Sequence, residues 1–114
     1  MADHIRIAPA EGTWVVRAGG AVIGESDDAL KLEEDGYPFV VYFPREDIAM
    51  EFLDVTDKVT TDQVKGQAAH YSIVTRSTVL ENAAWSYENP EAEVSQIAGH
   101  IAFYATDTVA IEQI

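Results

Sequence analysis

The chain has 114 residues, 47% of them hydrophobic, which is enough apolar material for one ordinary core. Its formal net charge is -13 with only 7 Lys and Arg, so binding to nucleic acid or to an anionic membrane is not expected. The absence of cysteine excludes disulfides, thiolate catalysis, iron–sulfur clusters and cysteine-based zinc sites. We therefore expect a single domain over residues 1–114.

Segments that would direct the chain to a membrane are not evident. No apolar run approaches the roughly 20 residues that span a bilayer. The start, MADHIRIAPA, has no cationic segment followed by an apolar block of the signal-peptide type. These features predict a cytoplasmic protein without a membrane partner.

The three histidines do not follow a metal-binding pattern. His4, His70 and His100 are far apart and form neither an HExxH nor an HxH motif. The sequence therefore predicts no metal and no cofactor. A site that folding assembles from histidine and carboxylate residues remains an alternative, since metal ligands can come from distant segments.

The first half of the chain has apolar residues at a period near two, which is typical of half-buried β-strands. The strands predicted there are the runs 5–7, 14–16, 21–26, 30–32 and 38–43. Gly19 and Gly20 predict a hairpin between two of them, because glycine accepts the positive φ angles of primed turns. Asp35 and Gly36 form a second turn dipeptide, and Pro44 ends the last strand because it cannot donate to a ladder.

The second half is predicted to begin with one helical turn near 45–47 that leads into extended chain. The stretch DKVTTDQVKGQ (57–67) is polar and is interpreted as irregular. The strands predicted after it are the runs 68–74, 77–88, 100–105 and 108–114.

One short helix is predicted near 91–98. Pro90 or Asn89 can open it, and Glu91 and Glu93 lie in its first turn, where the macrodipole favours negative charge. Val94 and Ile97 give it an apolar stripe. With eight or nine short strands and one helix, the pattern predicts a mainly β fold, a sandwich or a barrel-like domain.

Several stretches, read together, resemble the bacterial domain-of-unknown-function family 427. They are YFPREDI (42–48), VKGQAAHYSI (64–73), AAWSYENP (83–90) and IAGHIAFYATDTVAIE (97–112). The resemblance covers about residues 10–112 and implies a β-tent-like architecture, in which two antiparallel sheets meet at an angle. It implies no established activity, and a shared fold does not carry function over.

The chain departs from that family at one position and lacks a motif that the family's label suggests. Members usually have a cysteine and a proline before the Lys-Gly pair, whereas this chain has Gln63 and Val64. A nucleotidyltransferase label is attached to the family in some classifications. GESDD (24–28) matches the Gly-Ser and paired-carboxylate signature only superficially and is interpreted as a turn.

Trp85 and Tyr87 share one face of a predicted strand, because they are two residues apart. They either fill the core or form a pocket wall, with Trp14, Tyr42 and Tyr104 as companions.

Polar candidates surround these rings in the same signature stretches. Arg45 can contact a carboxylate or phosphate, or it can form a structural ion pair. Lys65 can supply a point charge beside Gly66, where backbone can approach a ligand, or the two can be an ordinary turn. His70 is a core histidine or a titrating acid or base.

Three classes of function follow from these residues, and whether the protein is an enzyme is left open. The first is a small-molecule-binding domain whose aromatic and basic pocket gathers Tyr42, Arg45, Lys65, Gly66, His70, Trp85 and Tyr87. The second is a metal- and thiol-independent enzyme that uses His70 with Glu46 or Asp47 as an acid–base pair. The third is a protein-interaction module, such as a homodimer formed through an exposed strand edge or aromatic patch.

Overall fold

The computed structural model describes residues 4–114, and ten β-strands run through them. In chain order they are β1 (Ile5–Pro9), β2 (Trp14–Ala18), β3 (Ala21–Ser26), β4 (Leu30–Glu34), β5 (Val40–Tyr42), β6 (Leu53–Asp62), β7 (Gly66–Val74), β8 (Val79–Ser86), β9 (Ala102–Phe103) and β10 (Val109–Gln113). All neighbouring strands pair antiparallel. The predicted mainly β fold class is confirmed.

The strands form three sheets, with the orders β1-β4-β5, β10-β2-β3 and β6-β7-β8-β9. The first and the last of these sheets meet edge to edge. Phe43, just after β5, and Ile101, just before β9, exchange two backbone hydrogen bonds of 2.8 Å. This joint gives a continuous seven-strand surface in the order β1-β4-β5-β9-β8-β7-β6, called the joined sheet below. The structure therefore has three sheets where two were predicted, and this bridge links two of them.

The helical segments of the described residues are all of the 3-10 type. Arg45–Asp47 confirms the turn predicted there, and Met50–Phe52 follows it. Ala92–Ile97 lies where the short helix was predicted, but Val94 breaks it into two turns with φ -124. Its apolar stripe is buried as expected. None of these segments has the length and hydropathy that a membrane-spanning helix requires.

The turn predicted at Gly19 and Gly20 is a two-residue hairpin between β2 and β3. Ala18 pairs with Ala21 across it, and the two glycines have φ angles of 56 and 89. Both values lie in the left-handed region that a primed turn requires, which is why glycine occupies both positions.

The interpretation of residues 57–67 as irregular is wrong for most of its length. Residues 57–62 complete β6, which has 10 residues and pairs with β7; only the turn at 63–65 separates the two strands. β6 is an edge strand whose side chains are mostly exposed, so it needs no alternating apolar pattern. Its Val and Thr residues have the β-branching that favours strands. A register shift between Val55 and Val59 interrupts this edge, a feature that discourages pairing with another chain.

The two faces of the joined sheet contribute to two cores, because successive side chains of a strand point to opposite faces. One core lies against the sheet β10-β2-β3 and includes Val16, Ile23, Phe43, Tyr71, Ile73, Ala84 and Ile101. The other lies on the opposite face and consists of Leu32, Tyr42, Ala68, Tyr87, Val94, Ile97 and Ala102. The second core borders the cavity described next.

Candidate functional site

A cavity of about 700 Å³ opens beside the second core. Its wall consists of Trp14, Leu32, Glu34, Tyr37, Pro38, Phe39, Val40, Val41, Tyr42, Thr60, Asp62, Lys65, Trp85, Tyr87, Phe103, Tyr104, Ala105 and Ile111. The chain has 2 Trp, 5 Tyr and 4 Phe, eleven aromatic residues in all, and eight of them are in this wall. The cavity is therefore the place where the aromatic residues of the chain converge.

Trp85 is at the centre of the aromatic wall. Its ring centroid lies 4.4 Å from that of Tyr104 and 6.3 Å from that of Tyr42, whose ring meets it edge to face. The indole Nε1 donates to the Tyr42 hydroxyl at 3.4 Å. The polar atom of Trp85 therefore has a partner within the wall, and its half-buried ring lines the cavity.

Trp85 and Tyr87, the aromatic pair in AAWSYENP, contribute both to the core and to the cavity wall. Tyr87 belongs to the second core and is only 7% exposed, yet it also lines the cavity. Trp85 packs against the same core and is half-buried. Burial raises the pKa of the hydroxyls of Tyr42, Tyr87 and Tyr104, so these phenols are neutral at physiological pH.

The polar part of the wall is an ion-pair cluster of Glu34, Asp62 and Lys65. The Lys65 Nζ lies 3.0 Å from an oxygen of Asp62 and 3.1 Å from an oxygen of Glu34, and its side chain is 9% exposed. Asp62 also accepts hydrogen bonds from the backbone N–H groups of Val64 and Lys65. The turn after β6 thus fixes the carboxylate, and the carboxylate fixes the ammonium.

The charges of this cluster follow from its contacts. Burial alone would lower the pKa of Lys65. The hydrogen bonds to Asp62 and Glu34 raise it by more than burial lowers it, so the net shift of the pKa is upward. Burial alone raises the pKa of Asp62, but the N–H groups and the ammonium outweigh it, and the net shift is downward. Both side chains are therefore charged at neutral pH.

The same cluster connects distant strands of the joined sheet. Glu34 ends β4, near one edge of that sheet, whereas Asp62 ends β6 at the other edge. Since Lys65 binds both, the sheet must bend until its two ends approach each other. The cavity lies within this bend, and no ladder of backbone hydrogen bonds closes it within residues 4–114.

Four of the seven predicted ligand-binding residues come together at the cavity, namely Tyr42, Lys65, Trp85 and Tyr87. Arg45 and Gly66 lie elsewhere. Arg45 pairs with Glu88 and donates from Nε to the carbonyl of Gly99 at 3.1 Å. Its guanidinium also lies 5.9 Å from the ring centroid of Tyr71, a member of the first core. Arg45 therefore has a structural ion pair on the face away from the cavity.

Gly66 begins β7 with φ 107 and faces the segment Asn89–Glu91, outside the aromatic wall. Arg45 is also outside the wall, so Lys65 is the one basic residue of the predicted set that lines the cavity. Its charge is balanced by Asp62 and Glu34.

His70, the remaining predicted residue, is buried behind the wall. It is 1% exposed and its Nε2 lies 3.4 Å from the hydroxyl of Tyr104, whose ring stacks on the imidazole. Its Nδ1 is buried and has no hydrogen-bond partner among the described residues. Burial, followed by the charge of Lys58, lowers the pKa of His70, so the imidazole is neutral at pH 7.

The His70 shift predicts a loss of stability in mild acid. Below the ordinary pKa of 6.5 the unfolded chain gains a proton at His70 that the folded protein resists. The stabilisation is therefore complete above pH 6.5 and is lost as the pH falls toward the lower folded-state value, by at most about 1.4 kcal/mol per pH unit. Urea unfolding gives the free energy of unfolding at each pH between 7.5 and 5. This free energy should depend less steeply on pH in His70→Gln than in the parent, because unfolding of the variant takes up roughly one proton fewer.

The matched control is His100→Gln, which removes a histidine that is only partly buried. An unchanged slope in His70→Gln would contradict this account of the imidazole.

The acid–base pair considered from the sequence is not formed. Among residues 4–114 no hydrogen bond or ion pair joins His70 to Glu46 or Asp47. Asp47 instead accepts a 2.6 Å hydrogen bond from Ser26, and Glu46 is exposed. Strand β7 directs His70 to the face with Trp85, its partner in the register of β8. In the same described range, no three His, Asp or Glu side chains are placed to hold a metal ion.

Sequence reasoning missed part of the wall. Thr60 and Asp62 were hidden because residues 57–67 were interpreted as irregular, although both lie on β6. Glu34 had a usable signal, since it continues the period-two face of Leu30 and Leu32. Tyr37 gave no such signal because it lies in the connection after the Asp35-Gly36 turn, and Phe39 was placed in the predicted strand 38–43 but lies before β5, which begins at Val40.

The fold and the cavity define a class: a small mainly β domain whose bent sheet carries an aromatic-lined cavity. Residues 6–113 match the family described as Domain of unknown function (DUF427). Because this match covers nearly the whole chain, the protein belongs to that family, in agreement with the resemblance of its signature stretches. No curated protein matches the chain.

Proposed function

We propose that this protein binds a small organic molecule in the aromatic cavity. The observation that carries the proposal is the convergence of eight aromatic residues around about 700 Å³ of space. Ligand pockets generally enclose about 300–1,000 Å³ and have aromatic walls with a few fixed polar groups. The ion-pair cluster of Glu34, Asp62 and Lys65 supplies such fixed groups.

The exposure of the rim supports the same proposal. Tyr37 is 69% exposed, Phe39 47% and Tyr104 42%, and all three line the cavity. Large rings at a cavity mouth leave apolar surface in contact with water, and a ligand that covers them gains the free energy of removing that surface. Trp14 meets Phe39 edge to face at 6.2 Å, so the rim is continuous with the wall.

The two tryptophans of the chain give a direct test, because both Trp14 and Trp85 line the cavity. A screen of metabolite-like compounds, followed by intrinsic fluorescence and by the two indole N–H signals in NMR spectra, reports occupancy without a label. We expect a bound compound to shift both indole signals, whose assignment comes from Trp14→Phe and Trp85→Phe.

A substitution that fills the cavity gives the matched test. Thr60 is exposed on β6 and lines the cavity, whereas its neighbour Thr61 is exposed and lines a hollow on the other side. Thr60→Phe should weaken binding of any compound found by about tenfold or more, since the new ring occupies ligand space. Thr61→Phe should leave binding unchanged, because adjacent strand residues point to opposite faces.

Two results would overturn the proposal. One is a screen in which no compound shifts either indole signal. The other is equal binding to Thr60→Phe and Thr61→Phe, which would place the compound outside the cavity.

A further inference from the structure

The charge of the cavity wall distinguishes between classes of ligand. Among the described residues of the wall, Glu34 and Asp62 carry two negative charges and Lys65 carries one positive charge, which leaves a net charge of -1. The phenols of Tyr42, Tyr87 and Tyr104 are neutral, as argued above. The chain as a whole has a net charge of -13, so the long-range field also attracts cations and repels anions.

The aromatic faces add to this preference. The face of an aromatic ring is the negative end of its quadrupole and attracts a cation placed over it. One ring of the wall already shows this interaction, since the Nζ of Lys31 lies 4.6 Å from the ring centroid of Phe39. A ligand cation over Trp85 or Tyr104 would make the same kind of contact inside the cavity.

The hydrogen-bonding state of the wall restricts the type of cation. A primary ammonium has three donors and loses strong hydration when it is buried. In this wall the Asp62 carboxylate already accepts three hydrogen bonds, two from backbone N–H groups and one from Lys65. The Glu34 carboxylate accepts one from Lys65, and its other oxygen lies 3.5 Å from the Nε2 of His4. A methylated ammonium has few or no donors to satisfy, and its methyl groups pack against aromatic rings.

We infer that the cavity takes a small organic cation with a methylated ammonium group, held over the aromatic rings beside Glu34 and Asp62. This inference rests on the proposed function, because it names the ligand class of the same cavity.

The experiment compares three probes of nearly the same shape. They are choline, its neutral analogue 3,3-dimethyl-1-butanol, in which a tert-butyl group replaces the trimethylammonium group, and the anion 3,3-dimethylbutanoate, in which a carboxylate also replaces the hydroxymethyl group. Titrations at constant ionic strength follow the two indole N–H signals. We expect choline to bind with a Kd of about 1 mM, at least about fivefold more tightly than the neutral analogue, and the anion to bind most weakly.

A pair of substitutions on β4 tests the contribution of wall charge. Glu34→Gln removes a negative charge from the wall, and Glu33→Gln removes the same charge from the opposite face of the strand. Glu34→Gln should weaken choline binding by roughly threefold to tenfold and should weaken binding of the neutral analogue less, because only choline loses a charge interaction. Glu33→Gln should change neither.

The outcomes separate this inference from the proposed function. Binding of the neutral analogue or the anion as tightly as choline would overturn the cation preference and leave the cavity a binding site. A primary amine of similar size that binds more tightly than choline would overturn the methylated ammonium. A cavity that takes none of the three probes overturns the inference, whereas the proposed function is decided separately, by the wider screen and by the comparison of Thr60→Phe with Thr61→Phe.

Discussion

Replacement of Lys65 with methionine is expected to lower the free energy of unfolding by about 3 kcal/mol. Methionine keeps the apolar stem of the side chain but leaves Glu34 and Asp62 without the ammonium that both of them bind. Removal of one partner from a buried ion pair generally costs about 3–5 kcal/mol. We take the lower end because the Asp62 side chain retains 36% of its exposure and can be rehydrated.

The loss of unfolding free energy in Lys65→Met should be greater at neutral pH than in acid. The folded-state pKa of Asp62 lies below its ordinary value of 3.8, so its ion pair stabilises the protein above that pH. As the pH falls through the lower folded-state value, Asp62 is protonated and the contribution is lost. The difference between Lys65→Met and the parent should therefore be greatest near neutral pH and shrink in strong acid.

Urea unfolding with matched variants measures this effect. Lys31→Met makes the same substitution at a partly exposed lysine, which lies 3.8 Å from Glu33. That change also removes the contact of the ammonium with the Phe39 ring and should cost no more than about 1 kcal/mol in all. The double variant Glu34→Gln with Lys65→Met should recover part of the loss, because one unpaired carboxylate is gone. Equal losses in Lys65→Met and Lys31→Met would show that the ion-pair cluster does not hold the sheet in its bent form.

The strands could be predicted wherever local chemistry decides the structure. The hairpin at Gly19 and Gly20 depends on φ angles that glycine alone adopts easily, and the end of β5 is followed by Pro44. β6 could not be predicted in the same way. Its residues 57–62 have no apolar alternation, because an exposed edge strand is stabilised by its ladder with β7.

The residues of the cavity wall could be predicted only where the spacing of nearby residues shows that they share one face of a strand. The spacing of Trp85 and Tyr87 predicted that they share a side, and they do. Arg45 and His70 come from the same signature stretches, but their positions depend on which face of the joined sheet they occupy. That face follows from the register of β7 with β8 and from the turn after Pro44. These are long-range pairings that a local pattern does not contain.

Phe43→Ala is the substitution expected to cost the most, with a loss of about 4 kcal/mol in the free energy of unfolding. Phe43 is completely buried, and its ring meets that of Phe103 edge to face at 6.0 Å. Its backbone also forms the joint between β5 and β9 through two hydrogen bonds with Ile101. Truncation at this position leaves a cavity in the first core beside the joint, where the surrounding strands can relax only partly.

Two further variants distinguish the effect of the buried position of Phe43 from the effect of removing any aromatic ring. Phe39→Ala removes the same ring from the cavity rim, where Phe39 is 47% exposed, and should cost about 1 kcal/mol, the size of its edge contact with Trp14. Phe43→Leu retains most of the volume and should cost about 1.5 kcal/mol. Urea unfolding midpoints, together with unchanged m-values, give all three losses on one scale. A Phe43→Ala variant that loses no more than Phe39→Ala would mean that the joint, and with it the bent sheet around the cavity, does not depend on this ring.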